Sequence, residues 1–477
     1  MWTAAALSVL LLLLVSLRLP WIGDLGMHAA TLERLRHDLV NPGNPLVNAD
    51  TPSPYYSPWA VFFALVADVS GAPTFGVLRA AALVGLAVLL SGVWRFVRTL
   101  TERTAAVPLA LLCLTLLWGT RVFAWSGFTG LGSLALTVSY PSTLALGLAF
   151  HLWAWLRRAL AAAASWPVFL GLGLLWGTIV LVHQFTGVVA GLGVLALVLG
   201  ARPWPPRAVW ARLAGGTAAA GALVLAWPYY DLLALWGAEG MDAIHRPLYR
   251  DTAIRFGLVA VGLPALAARW WRDRRDPLAL FFLLGLLVVA AGGVSGHYAW
   301  GRALPAVLIP AQLAVAIEVF AATRRWWRTT LALLLAAALA VGAWMQIGTL
   351  GYAVPHHWLP DPVAAKAREP WHGYRWTTPW VRYGDVVMAR TFPARQLPAH
   401  GAYTVAPGYP DVLLPDERQR IAATERYYAE DTAAGERARI LAAHRVRWVL
   451  DGPRRPGDGL REVAEGPNGE RLYRVVP

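Results

Sequence analysis

Up to about Gly351 the chain alternates long apolar runs with short loops that carry arginine, and this pattern limits its fold more than anything else in it. The runs fall near 3–21, 75–94, 105–120, 139–156, 166–182, 185–200, 213–228, 253–268, 277–294, 303–321 and 329–350. Roughly 20 helical residues cover the ~30 Å of bilayer hydrocarbon, so the pattern predicts about eleven crossings, with the shorter runs borrowing flanking residues. Gly and Pro inside the runs do not count against them, because bilayer helices tolerate both. The expected fold is mainly α. A polytopic transmembrane helical bundle over 1–350 carries an external loop at 23–56, and a small extracytoplasmic α/β domain follows over 351–477.

A formal net charge of +14 raises the question of nucleic acid. That class is excluded because the arginines sit in short loops between apolar runs rather than on one polar face, which is the positive-inside signature. The arginine loops are Arg95, Arg98 and Arg103; Arg157 and Arg158; Arg202, Arg207 and Arg212; Arg269, Arg272, Arg274 and Arg275; and Arg324, Arg325 and Arg328. All five lie on the cytoplasmic side only if residues 57–70, too short for an ordinary span, make no separate crossing. The N-terminus is then cytoplasmic and the C-terminal domain extracytoplasmic. Lys366 is the one lysine, and such arginine usage fits a GC-rich bacterial genome and hence a bacterial cytoplasmic membrane. Residues 1–20 lack a basic leader and a small-residue cleavage site, so they read as an uncleaved first helix. The single Cys113 precludes an intramolecular disulfide.

After Gly351 the composition turns polar. Tyr403–Ala406, Arg447–Leu450 and Leu472–Val476 read as short strands, while 380–391, 415–429 and 432–444 carry helix-compatible patterning. No internal repeat and no metal-ligand spacing is visible.

The first external loop carries the most chemistry. The first helix leaves the membrane directly into Asp24 and His28, which are four apart and share one face of a helix. Glu33, Arg34, Arg36, His37 and Asp38 continue a polar amphipathic stretch suited to a membrane surface. Then come Asn41-Pro42-Gly43-Asn44-Pro45 and Asp50-Thr51-Pro52-Ser53-Pro54-Tyr55-Tyr56-Ser57-Pro58, a rigid Pro/Tyr segment leading into a short helix. This arrangement resembles the GT-C superfamily of polyprenyl-phosphate-sugar-dependent membrane glycosyltransferases. Its members include oligosaccharyltransferases, protein O-mannosyltransferases, aminoarabinose transferases and actinobacterial arabinofuranosyltransferases. The resemblance spans the chain as architecture and residues 21–58 as motif.

By that resemblance Asp24 is the general base of an inverting transfer, taking the proton of an acceptor hydroxyl. Helix capping is the other role an Asp fills well at such a position. The implied partners are a polyprenyl-phosphate-linked sugar donor, a glycan, lipid or protein acceptor, and membrane lipid. His28, Asp50, Tyr55 and Tyr56 line the same loop as candidate substrate contacts. Some family members place a second acidic motif in the next external loop, often assisting a metal. Residues 121–138 contain no Asp or Glu, so a divalent metal of that kind is doubtful and no cofactor is implied with certainty. Asp50 or Asp231 could stand in for the missing acid.

Arg302, following His297 at the outer end of a helix, presents a fork of donors matched to phosphate oxygens. Its alternative is an interfacial cation that snorkels. His183 breaks an apolar stretch at the outer surface, as a lipid-phosphate or sugar contact or as a turn residue. Residues 227–251 mix aromatic and polar groups, among them Tyr229, Asp231, Trp236, Glu239, Asp242 and His245, as a loop that covers a lipid-linked donor or simply lies on a membrane. Two other classes compete with a glycosyltransferase: a lipid-linked substrate transporter or flippase, which more often carries ionisable groups at mid-bilayer, and a non-catalytic envelope assembly protein.

Overall fold

The computed structural model describes residues 1–235, 240–452 and 459–476. In chain order its helices begin with α1 (Trp2–Arg18), α2 (Leu25–His37), α3 (Pro58–Ser70), α4 (Thr74–Leu100) and α5 (Ala106–Leu116). There follow α6 (Leu131–Thr137), α7 (Pro141–Ala161), α8 (Trp166–Val182), α9 (Gln184–Leu199), α10 (Arg207–Leu225) and the short α11 (Met241–His245). Next come α12 (Thr252–Phe256), α13 (Leu263–Arg272), α14 (Pro277–Ser295), α15 (Pro305–Ala321) and α16 (Arg325–Gln346). Each apolar run of the sequence coincides with one of these helices.

Among the described residues six helical segments are long and apolar enough to cross a membrane: Thr74–Leu100, Arg207–Leu225, Thr252–Arg272, Pro277–Ser295, Tyr298–Ala321 and Arg325–Tyr352. The pair α6 and α7, bent by 120°, makes a seventh if it is one span, and α1, α3, α5, α8 and α9 are shorter apolar helices. This is a multi-pass membrane protein, mainly helical, with a small C-terminal sheet.

The chain divides into two compact units. The first comprises Met1–Pro20, Arg79–Trp227 and Glu239–Glu369. Its centre is α15, apolar on all sides and buried along nearly its whole length, as a helix enclosed by others must be. The constraint inside such a bundle is that every backbone polar group finds a partner. α5 stops after eleven residues, and side chains take the carbonyls that its end frees. Gln346 Nε2 donates to Thr115 O at 2.8 Å and Gln312 Nε2 to Leu117 O at 2.8 Å, while Gln346 Oε1 accepts from Gly132 N at 2.9 Å. At the arginine-bearing ends the charges are paired. Arg272 grips buried Glu318 with two bonds of 2.7 and 2.6 Å, and Arg269 meets Asp276 at 2.7 Å.

The second unit comprises Trp21–Leu78, Pro228–Ala238 and Pro370–Pro477. Besides the one-turn helices α17 (Asp361–Ala364, in the first unit) and α18 (Thr391–Ala394), the C-terminal region carries α19 (Glu417–Tyr428) and α20 (Ala434–Ala443). Its strands are β1 (Val386–Met388), β2 (Tyr403–Thr404), β3 (Trp448–Asp451), β4 (Leu460–Glu465) and β5 (Arg471–Val475), ordered β2-β1-β3-β5-β4. β1 runs parallel to β2 and β3, and β5 is antiparallel to β3 and β4. Alternate residues feed two cores. Val387, Trp448, Leu450 and Leu472 pack on one face with Tyr374 and Leu397; Val386, Met388, Val449 and Tyr473 pack on the other with Tyr427, Tyr428 and Leu441.

The helix expected over 380–391 is corrected by this arrangement. Val386-Val387-Met388 is a strand buried on both faces, and a continuous apolar run of that kind reads the same whether it is a central strand or a buried helix. β4 was likewise not legible, because its residues are half exposed and alternate weakly. The helices expected over 415–429 and 432–444 are α19 and α20.

Of the polar stretch expected on a membrane surface, Arg34 is buried by protein, Glu33 and Arg36 are half-buried, and His37 and Asp38 are exposed. α2 buries all but three of its thirteen residues, and its Arg34 is fully buried. The guanidinium donates to Gly401 O at 2.9 Å and to Ala402 O, and lies 3.6 Å from the Tyr403 ring centroid. His37 stacks on Tyr383 at 3.4 Å. Val47 adds a parallel bridge to Thr404 beside β2. Gly26 is required where α2 meets the C-terminal segment, since a Cβ there would collide with the Arg395 carbonyl. Replacing Arg34 by Ala takes the donor from Ala402 O and one of two donors from Gly401 O, which keeps Gly384 N, and removes a cation–π contact. The expected loss is on the order of 3 kcal/mol, read as a lower denaturant midpoint for the tryptophan fluorescence of the purified protein.

Candidate functional site

In the second unit the functional residues gather around Tyr55. Asp24 is the N-cap residue of α2, yet its side chain makes no capping bond to the helix; the backbone carbonyl alone accepts from Met27 N and His28 N. The turn that carries it is pinned by Tyr409, whose hydroxyl donates to Gly23 O at 2.7 Å. Burial raises the Tyr55 hydroxyl well above the ordinary tyrosine range, and the charges of Asp24, Asp411 and Glu417 push it in the same direction. Tyr409 is raised by burial and then by Asp24. Asp24, Tyr55, Tyr409 and Asp411 thus lie within electrostatic reach of one another.

Asp411 was not singled out by the sequence. It is buried, and burial raises its carboxyl above the usual range against the bonds that favour the anion. Asn44 Nδ2 donates to Asp411 Oδ2 at 2.7 Å, while Asn44 Oδ1 accepts from Leu46 N and Val47 N. That one amide fastens the 41–51 loop, whose turn needs the positive φ of Gly43, to the C-terminal segment. The available signal was Tyr409-Pro410-Asp411, which has the same composition as the Tyr/Pro run of the first loop.

His28 is buried, with its ring edge-on to Trp59 at 5.7 Å and to Tyr55 at 6.5 Å. Tyr56 is buried as well; its hydroxyl donates to Gly43 O at 2.9 Å and its ring meets Tyr229 at 5.8 Å, a packing role. Asp50 is exposed. Asp231 accepts from Leu233 N at 2.8 Å and shapes a local turn. Asp38 does the same for Val40 N and Asn41 N.

The remaining candidates belong to the first unit. Arg302 is buried at the start of α15. Its Nη2 donates to Ser126 Oγ at 3.1 Å and lies 3.3 Å from His183 Nε2, and the guanidinium sits 4.5 Å from the Phe185 ring. His183 caps α9, its Nδ1 accepting from Thr186 N. His183 Nδ1 also lies 2.7 Å from Thr186 Oγ1, and its Nε2 faces the Arg302 guanidinium, which can only donate. Trp125, Phe185 and His245 wall this cluster, His245 stacking on Trp125 at 5.8 Å. Burial, and then the charge of Arg302, lowers His245 to about 4. His297 is more exposed and pairs with Asp242 at 3.6 Å. Trp236 and Glu239 lie outside the described residues. Among the described residues no three His, Cys, Asp or Glu side chains are grouped closely enough to hold a metal ion.

Comparison with solved structures identifies the fold. The chain aligns over 99% of its length with 97% of the crystal structure of ArnT from Cupriavidus metallidurans in the apo state, at TM-score 0.56 and 15% identity. It aligns over its full length with 42% of the cryo-EM structure of the arabinofuranosyltransferase AftD from Mycobacteria, at TM-score 0.58 and 16% identity. No protein-family model and no curated protein matches. The likeness is one of fold: the chain shares the fold of ArnT and AftD.

The buried histidines make the second unit acid-sensitive. Burial lowers His28 from 6.5 to about 3, and burial with Arg375 lowers His400 to about 4. Below pH 6.5 the unfolded chain takes up protons that the folded unit refuses, so stability present above pH 6.5 is lost as pH falls toward the folded values. Denaturant midpoints are expected to decline steadily from pH 6.5 to 4, by at most about 1.4 kcal/mol per pH unit per histidine. His28→Phe, which keeps an aromatic ring against Trp59, should flatten that decline, as unfolding followed at each pH would show.

Proposed function

We propose that this chain is an inverting glycosyltransferase that moves a sugar from a polyprenyl-phosphate donor to a cell-envelope glycan, lipid or protein acceptor on the outer face of the membrane. The observation that carries the reading is Asp24: it opens α2 directly after the first helix, and its charge reaches Tyr55 and Tyr409. The fold shared with ArnT and AftD supports it. The same reading takes all eleven helical runs as crossings, with the arginine ends and the N-terminus cytoplasmic and the C-terminal region outside.

In the reaction the acceptor hydroxyl oxygen attacks the anomeric carbon as the bond from that carbon to the phosphate oxygen breaks. The bonding pair leaves with the polyprenyl phosphate, and the hydroxyl proton passes to Asp24. The leaving phosphate needs charge stabilisation more than protonation. Arg302 is the candidate for holding the donor phosphate, since guanidinium N–H groups match phosphate oxygens.

Asp24→Asn keeps the shape and removes the base. Transfer from a radiolabelled polyprenyl-phosphate sugar in membranes is expected to fall by about 10²- to 10⁴-fold at unchanged protein level. Retained transfer would sink the assignment, and lipid transport across vesicles that survives Asp24→Asn would favour a flippase. Arg302→Gln should act on the donor, raising the donor KM while leaving acceptor KM unchanged. A snorkelling arginine would leave both constants as they are.

A further inference from the structure

A groove lies between α7 and α8, away from both clusters described above. It encloses about 580 Å³ and is lined by Trp155, Arg158, Ala159, Ala162, Val168 and Gly171 among others, with almost wholly apolar walls. Its origin is a packing choice made by α8. A Cβ on Gly173 would collide with the Gly216 carbonyl, so α8 presses directly onto α10, the close approach that small residues permit between bilayer helices. The opposite side of α8 presents Gly171, whose Cβ would meet nothing within 4 Å. Facing it, α7 offers only the methyl groups of Ala159 and Ala162, and the space between stays open.

The charges at this end are not neutral to what fills it. Arg158 is exposed at the rim. Arg212 of α10 donates to Ala163 O at 2.8 Å and Ala164 O at 2.6 Å, closing the turn that ends the groove, and its buried Nε–H meets no acceptor in the protein. Trp155 and Trp166 are exposed at the same level, as side chains at a membrane interface are. Apolar walls along two bilayer helices, with arginines and tryptophans at the mouth, match one ligand chemistry: a tail in hydrocarbon under an anionic headgroup.

We propose that this groove is a binding site for an anionic phospholipid, one acyl chain lying against Gly171 and Ala162 and the phosphate held by Arg158. The site is independent of the reaction proposed above. Native mass spectrometry of the full-length protein in detergent tests it, with phosphatidylglycerol and phosphatidylcholine of identical acyl chains as probes. The wild type should bind phosphatidylglycerol more tightly, by about fivefold. Arg158→Gln should lose about fivefold for phosphatidylglycerol and leave phosphatidylcholine unchanged. Gly171→Leu, which fills the groove, should weaken both lipids, and Ala162→Leu on the other wall should do the same. Gly221→Leu, at another open glycine on α10, should alter neither. Equal binding of the two lipids by the wild type, or binding that survives both groove-filling variants, would overturn the proposal.

Discussion

The buried guanidinium of Arg34 organises the second unit. A cation without solvent is costly unless its donors are met, and here two backbone carbonyls and the face of Tyr403 meet it. No carboxylate shares the site, so the cation is held by dipoles and π electrons that exist only once the C-terminal segment has folded. α2 cannot keep Arg34 buried without that segment, and that segment's own core closes over α2: Met27 and Ala30 pack with Leu46, Val47, Tyr409 and Leu414. The first loop and the last hundred residues are therefore one folded object, although the chain between them is nearly all membrane helix.

The first unit obeys a different constraint. Its helices gain little by hiding apolar surface from a solvent that is itself apolar, so close packing and polar satisfaction set their arrangement. Gly342 lets α16 approach the Leu116 carbonyl, where any Cβ would collide. Gln312 and Gln346 then satisfy the carbonyls left where α5 stops short. A Leu at either position would suit the hydropathy pattern as well, and the glutamines are there because α5 ends inside the bundle.

How much of this was legible in the sequence follows from the same contrast. Hydropathy is a one-dimensional signal, and every apolar run it marked is a helix. α19, α20 and the strands near 403, 448 and 472 were also visible, because their patterning is local. The contacts that build the site were not. Arg34 looks like any arginine on a polar helix face until Gly401 and Ala402, more than 360 residues away, supply its acceptors. Asp411 sits in a stretch without periodicity, and its relation to Asn44 is set by the fold. Asp24 was visible because it stands at a boundary that hydropathy does mark, the end of the first helix. The capping alternative could be weighed only once the geometry of α2 showed that the side chain makes no capping bond to the helix.

The two clusters differ in what they can do to charge. Around Tyr55 burial first, and then the charges of Asp24, Asp411 and Glu417, make further negative charge costly, and burial and Asp24 do the same for Tyr409. Such a setting favours taking up a proton. Around Arg302 the guanidinium donates to Ser126 Oγ and faces His183 Nε2, and burial, then the charge of Arg302, lowers the nearby His245. Such a setting favours accepting an anion. A hydroxyl that loses its proton and a phosphate that gains charge place opposite demands on their surroundings, and a single electrostatic environment serves both poorly. The two environments belong to different folded units, and each unit buries one of these arginines: Arg34 in α2 and Arg302 just before α15.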